Sequence, residues 1–251
     1  MISKIRGSSW LQDIRKREYA AGFLKGTVLY GVLIYLFYES FLPVPLLFPL
    51  WIIYMKGWAE DMTAAKEAEF RDQFRDCIQA VAAALKAGYS AENAIREAKQ
   101  DIGPMYPSDK RIMKELELIV RQLDMNRPVG MVLEDFSERV GQEDVENFVN
   151  VFIAAKKSGG DSIAMIRKAV RTISEKIDTE KEIQTMLASK KLEFEIMCAV
   201  PFVIIAYMKL TFGDFLDVLY GNAAGAAVMT VCIILYAGAY LLGRKLIRIE
   251  I

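Results

Sequence analysis

Residues 218–243, VLYGNAAGAAVMTVCIILYAGAYLLG, run for 26 positions without a charged side chain. About 20 apolar residues in a helix cross the hydrocarbon core of a bilayer. Lipid offers no partner to a bare backbone N–H or C=O, so such a segment has to be helical. The stretch is therefore predicted to be a transmembrane helix with length to spare. Before it, FEIMCAVPFVIIAYMKLTFG (194–213) is shorter and carries Glu195 and Lys209 near its ends. Lys209 can reach the headgroups, and Pro201 is tolerable in a membrane helix. The short link DFLDVLY makes the pair a C-terminal membrane hairpin over 194–243.

A second apolar region lies at 26–56. Its interior holds one charge, Glu39, between GTVLYGVLIYLFY and SFLPVPLLFPLWIIYM. Each half is short for a full span, and Pro43, Pro45 and Pro49 disfavour one straight helix through the region. The reading is an N-terminal hairpin turning near Glu39–Ser40; the alternative is one interfacial or re-entrant segment. A signal peptide is not expected, because the apolar stretch is long, begins late and is followed by no A-x-A pattern. Flanking charge sets the orientation. Lys4, Arg6, Arg15, Lys16, Arg17 and Lys25 lie in 1–25, and Arg244, Lys245 and Arg248 lie in the tail 244–251. The outer turns carry only the acids Glu39, Asp214 and Asp217. All of this places both termini and the middle of the chain in the cytoplasm.

The remaining composition is informative by what it excludes. The chain has 32 basic and 32 acidic side chains and no histidine. A zero balance gives no reason to expect nucleic acid, and the commonest general base and metal ligand is missing. Cys77, Cys198 and Cys232 form no CxxC pair, so they read as small apolar residues rather than a zinc site or disulfide framework. There is no HExxH and no GxSxG. No catalytic residue, cofactor or metal site is expected.

Between the membrane segments, residues 57–193 are helical by period. Phe70, Phe74, Cys77, Ile78, Val81 and Leu85 make one stripe; Ile112, Leu116, Ile119, Val120 and Leu123 another. Val129, Val132, Leu133, Phe136 and Val140 follow, then Val145, Phe148, Val149, Phe152 and Ile153, then Ile163, Ile166, Val170, Ile173 and Ile177. Each apolar face needs another helix to cover it. Six helices are predicted, at about 60–87, 90–101, 108–125, 128–140, 143–157 and 161–190, the last running on towards the span at 194. Gly88 ends the first and Ser90 caps the second. Asn126 tolerates the left-handed conformation, with Pro128 entering the next helix. Gly141 stops a helix ahead of acids at the following N-terminus. Ser158 precedes Gly159–Gly160, which end one helix, and Asp161 caps the next. This corner is not a phosphate loop: no lysine follows the glycines at the required place, and the element before them is a helix, not a strand.

The series LKAGYSAENAI (85–95), IVRQLDMNRPVGMVLEDF (119–136) and FIAAKKSGGDSIAMIRKAVRTI (152–173), followed by KKLEFEIMCAVPFVIIAYMKL, resembles the F-domain platform proteins of type II secretion and type IV pilus machines. The likeness covers about 60–245 and is nearest in shape to the tight-adherence (Tad) pilus branch, with one F-domain per chain. One departure is Asn126, where the family's middle corner usually has glycine; asparagine also adopts positive φ. Some two-domain relatives hold calcium on acidic residues, but no spaced Asp/Asn/Glu loop stands here to receive that site.

The resemblance implies an all-α membrane protein, a cytoplasmic six-helix bundle between two membrane hairpins. It implies an inner-membrane, non-enzymatic platform that couples a hexameric secretion ATPase to pilin or pseudopilin subunits, beside a second F-domain chain or itself. The other reading weighed is a transporter or channel subunit, favoured only by the proline-rich N-terminal segment. Candidate partner contacts are the corners Gly88, Tyr89, Ser90, Asn126, Pro128, Ser158, Gly159, Gly160 and Asp161. Gly221 and Gly225 form a GxxxG pair suited to close helix packing, within the hairpin or between copies.

Overall fold

The computed structural model of the chain describes residues 16–37, 44–158, 162–212 and 223–247. Among the described residues there are eight helices: α1 (Lys16–Phe37), α2 (Val44–Lys86), α3 (Ala91–Ile102), α4 (Arg111–Asp124), α5 (Val129–Val140), α6 (Glu143–Ser158), α7 (Ser162–Thr211) and α8 (Ala223–Ile247). They belong to two compact units. The first is described over Met62–Glu180; the second takes Arg15–Asp61 and Lys181–Ile251. The predicted helices at 90–101, 108–125, 128–140 and 143–157 correspond to α3 to α6, with ends moved by at most three residues.

One predicted helix start is displaced. The expected division between an apolar segment ending at 56 and a helix beginning near 60 falls inside α2, which runs unbroken from Val44 to Lys86. Gly57 is too weak a breaker alone, costing about 1 kcal/mol in a helix interior. The expected continuation of the last helix towards the span at 194 is present: α7 runs from Ser162 to Thr211 through Pro201. Pro45 and Pro49 lie within the first turns of α2, and Pro43 and the expected turn at Glu39–Ser40 lie outside the described residues.

The first unit is built from amphipathic helices that cover one another's stripes. Ile112, Leu116, Ile119 and Leu123 of α4 are all at most 4 % exposed, as their spacing requires. Consecutive helices pack, α3 on α4, α4 on α5 and α5 on α6. At the centre stands Phe74, stacked with Phe70, at 5.8 Å and 82° to Phe148 and at 6.3 Å to Phe136. Ile163 departs from its predicted stripe. It sits in the first turn of α7 and is 41 % exposed, whereas Ile166, Val170, Ile173 and Ile177 are buried. Across α2 and α7 the seam is polar: Arg71 pairs with Glu180, Arg75 with Asp178, and the Gln79 amide donates to Ser174 Oγ at 3.0 Å.

In the second unit glycines act as notches. A Cβ on Gly22 would stand 2.4 Å from the Trp58 ring, and one on Gly26 would stand 2.8 Å from Tyr54. Tyr19 meets Trp58 and Phe23 meets Trp51 edge-on, so α1 lies antiparallel along the first part of α2. Gly57 is occupied the same way: Arg244 of α8 donates to its carbonyl at 2.9 Å and to Asp61 Oδ2 at 2.8 Å. Helices α7 and α8 run antiparallel through Phe194–Tyr240 and Phe202–Tyr236, with Gly243 making room for Phe194. Both α7 and α8 are long and apolar enough to cross a membrane. Met197, Val203, Leu210, Leu235 and Leu246 stand exposed on them, an apolar surface far larger than isolated exposed residues provide.

Phe74→Ala is expected to cost the helical unit about 3–5 kcal/mol, since it opens a cavity where four rings meet. Denaturant titration of the full chain in detergent measures it. Cys77 supplies a second check. Burial, and then the charge of Asp76, push its thiol up to about 12. A raised pKa adds stability below the ordinary thiol value of 9.0 that is lost as pH climbs towards 12. Cys77 should therefore resist maleimide at pH 8 until the unit unfolds; rapid native labelling would refute this packing.

Candidate functional site

The first corner follows from one glycine. Gly88 takes φ 94, letting its N–H bond to Leu85 O at 3.1 Å and the Tyr89 N–H to Ala84 O at 3.2 Å. This pair of bonds closes the end of α2. No atom lies within 4 Å of where a Gly88 Cβ would be, so backbone conformation alone demands glycine. Ser90 then accepts the Asn93 N–H on its Oγ at 3.3 Å and opens α3.

Asn126 repeats the arrangement with another residue. It adopts φ 58, its N–H bonds to Leu123 O at 2.9 Å, and Arg127 N–H bonds to Gln122 O at 3.2 Å. The sequence offsets match those at Gly88, so the two corners are one motif. Pro128 precedes the first residue of α5, and Arg127 pairs with Asp135 at 2.9 Å. The third corner is described up to Ser158, the last residue of α6, with Lys156 and Lys157 in the final turn where the helix dipole favours cations. Gly159, Gly160 and Asp161 lie outside the described residues.

Two ion pairs gather the first two corners and the end of α6 at one end of the first unit. Lys156 Nζ donates to Glu92 Oε1 at 2.9 Å, joining the end of α6 to the start of α3. Arg96 donates to Asp124 Oδ1 at 2.8 Å and to Asn93 Oδ1 at 3.0 Å, joining α3 to the end of α4. The Lys156 hydrogen bond holds the Glu92 carboxyl below its ordinary range. A lowered carboxylate pKa contributes stability above the unfolded value, lost as pH falls through the folded one, so this tie loosens on acidification. Both pairs are substantially exposed, so each contributes little by itself. Their value here is positional. No spacing rule could have found Glu92–Lys156, whose partners are 64 residues apart.

The gathered end presents Tyr89, Met125 and Met131, respectively 46, 67 and 53 % exposed. Within the corner turns Glu92, Asp124, Arg127 and Lys156 each have an ion-pair partner, and Lys86 and Lys157 are left without one among the described residues. Among the described residues of these turns, the charges left unpaired are thus both positive and stand among exposed apolar side chains. Interfaces favour tyrosine and methionine, the latter because its flexible thioether adapts to shape.

Among the described residues no three His, Cys, Asp or Glu are grouped to hold a metal. A cavity of about 20 Å³ among Phe74, Ile112, Phe136 and Phe152 is apolar and has room for no ligand. Of the GxxxG pair, Gly221 lies outside the described residues and Gly225 is half-buried in α8.

The corners give a sharp expectation. Asn126→Gly should leave stability nearly unchanged, whereas Asn126→Val and Gly88→Val should each cost about 1–2 kcal/mol through the left-handed backbone. Thermal melts of the three variants measure this, and equal tolerance of valine would overturn the assignment.

Compared with known protein families, residues 63–209 match Type II secretion system (T2SS), protein F. Neither a curated protein nor a solved structure matches the chain. The matched stretch takes in all three corners and ends at Lys209 in α7, covering well over half of the 251 residues. On that match, joined to two helices able to cross a membrane, the chain belongs to the type II secretion system protein F family, whose members are non-enzymatic membrane components of secretion machinery.

Proposed function

We propose that this protein is the inner-membrane platform of a pilus or type II secretion machine, of the single-domain tight-adherence type. In this reading α1 with the start of α2, and the end of α7 with α8, are membrane hairpins. Both termini and the helical unit face the cytoplasm, where lysines and arginines flank the spans and the outer turns carry only acids. The corner end docks a hexameric secretion ATPase, and the platform passes its displacement to pilin or pseudopilin subunits in the bilayer.

The observation that carries this reading is the gathering of the first two corners with the end of α6. Segments that lie far apart in sequence, and on which the family likeness rests, come together around Tyr89, Met125 and Met131, with Lys86 and Lys157 unpaired among the described residues. Such an end suits an acidic partner face with apolar groups. Transmission is supported by the course of the backbone. The boundary between the units falls inside α2 and inside α7, so the chain crosses it both times as helix. A second copy or a second F-domain chain is the proposed neighbour in the membrane, with Gly221 and Gly225 as its contact.

The test is photo-crosslinking in native membranes from Tyr89 and Ser158. The expected product is a hexameric ATPase, and Lys86→Glu with Lys157→Glu should cut its yield severalfold while leaving the melt unchanged. Capture of lipid or self alone would refute the docking site and redirect attention to ion flux in liposomes. Asp161→Asn tests the third corner separately, with lost assembly at intact stability expected if its charge meets the partner.

A further inference from the structure

Pro201 lies inside α7, within the segment apolar enough to cross a membrane. Its ring nitrogen carries no hydrogen, so the Met197 carbonyl one turn earlier receives no helix bond from it, and the ring crowds that turn. Proline is tolerated in such segments where neighbouring helices supply compensating contacts to the local backbone. The neighbour here is Tyr236 of α8. Its hydroxyl donates to the Cys198 carbonyl at 2.7 Å, on the N-terminal side of the proline. Its ring stands edge-on to Phe202 at 5.0 Å and 83°, on the C-terminal side. One side chain therefore holds both edges of the break. The other ring contact between the two helices, Phe194 with Tyr240 at 5.8 Å, lies two turns before the proline and leaves the far side untouched.

We propose that Tyr236 is a splint across the Pro201 break, a positioning residue that sets the angle at which residues 202–211 leave it. The hydroxyl anchors the helix before the proline, the ring meets the residue after it, and α8 serves as the rigid backing. Either contact alone would leave the break free to bend about the other. With both in place a hinged helix behaves as a stiff one. The role is independent of which machine the platform serves.

The experiment uses the full chain in phosphatidylethanolamine–phosphatidylglycerol nanodiscs, with Cys198→Ala and Cys232→Ala. Both changes spare the Cys198 backbone carbonyl, and Cys77 is buried away from label. Spin labels replace Tyr207, beyond the break, and Val231 on α8; both positions are exposed. Tyr236→Phe keeps the ring and removes only the hydroxyl. The label-to-label distance distribution should widen in this variant, and widen further in Tyr236→Leu. In a Pro201→Ala background, with the helix bond restored, Tyr236→Phe should leave the distribution narrow. The Tyr236→Phe melt should shift by no more than about 2 °C, the scale of one interhelical hydrogen bond in lipid, which keeps a folding failure from confusing the result. An unchanged width in Tyr236→Phe, or equal widening with alanine at 201, would overturn the splint.

Discussion

The first unit depends on the burial of Phe74. Its ring touches Phe70 of its own helix, Phe136 of α5 and Phe148 of α6, and those contacts join elements separated by more than sixty residues of chain. Hydrophobic burial has no direction, so it would accept many arrangements of six amphipathic helices. Edge-to-face ring geometry and close packing narrow them, because a misplaced ring leaves a void with no partner atoms. Everything nearer the surface inherits its position from this centre.

Charges then refine what the core allows. The Glu92–Lys156 and Arg96–Asp124 pairs are exposed and contribute little energy each, yet they choose which helix ends meet. Asp144, at 4 % exposure, is different: it sits in the first turn of α6 and receives Lys176 at 2.8 Å. A buried carboxylate left without that partner would be costly, so this pair is one that α7 has to make. Along α2 and α7 the partners Arg71–Glu180 and Arg75–Asp178 align two helices that reach both units. In the second unit the same task falls to shape. Gly22, Gly26, Gly57 and Gly243 admit Trp58, Tyr54, Arg244 and Phe194, each of which comes closer than a Cβ would allow.

Function follows from this division of labour. A family of non-enzymatic secretion components needs surfaces and stiffness more than reactive groups. Its distinctive side chains accordingly sit at corners and seams. Gly88 and Asn126 turn the chain by the same pair of hydrogen bonds, and Tyr236 spans a proline, each a place where backbone geometry is held by a single residue.

Much of this was legible in the residues alone. The uncharged run at 218–243 required a helix, the apolar stripes marked which faces are buried, and α3 to α6 lie within a few residues of their predicted ends. Ser90, Asn126 and Gly141 announced their corners, because caps and left-handed turns are local and depend on side chains within a few residues. Less legible was the continuity of α2 from Val44 to Lys86, across the division expected between 56 and 60. Arg244, which sits beside Gly57 there, belongs to α8, far along the chain. The exposure of Ile163 escaped its stripe for a similar reason, since period gives a face but not where the covering helix stops. The meeting of the first two corners with the end of α6 had no local signal at all. Sequence by itself determined which backbone could be helical and which side chains had to leave water, since both follow from near neighbours; only the tertiary structure decided which ends, notches and charges face one another, because those choices arise from packing between residues the chain keeps far apart.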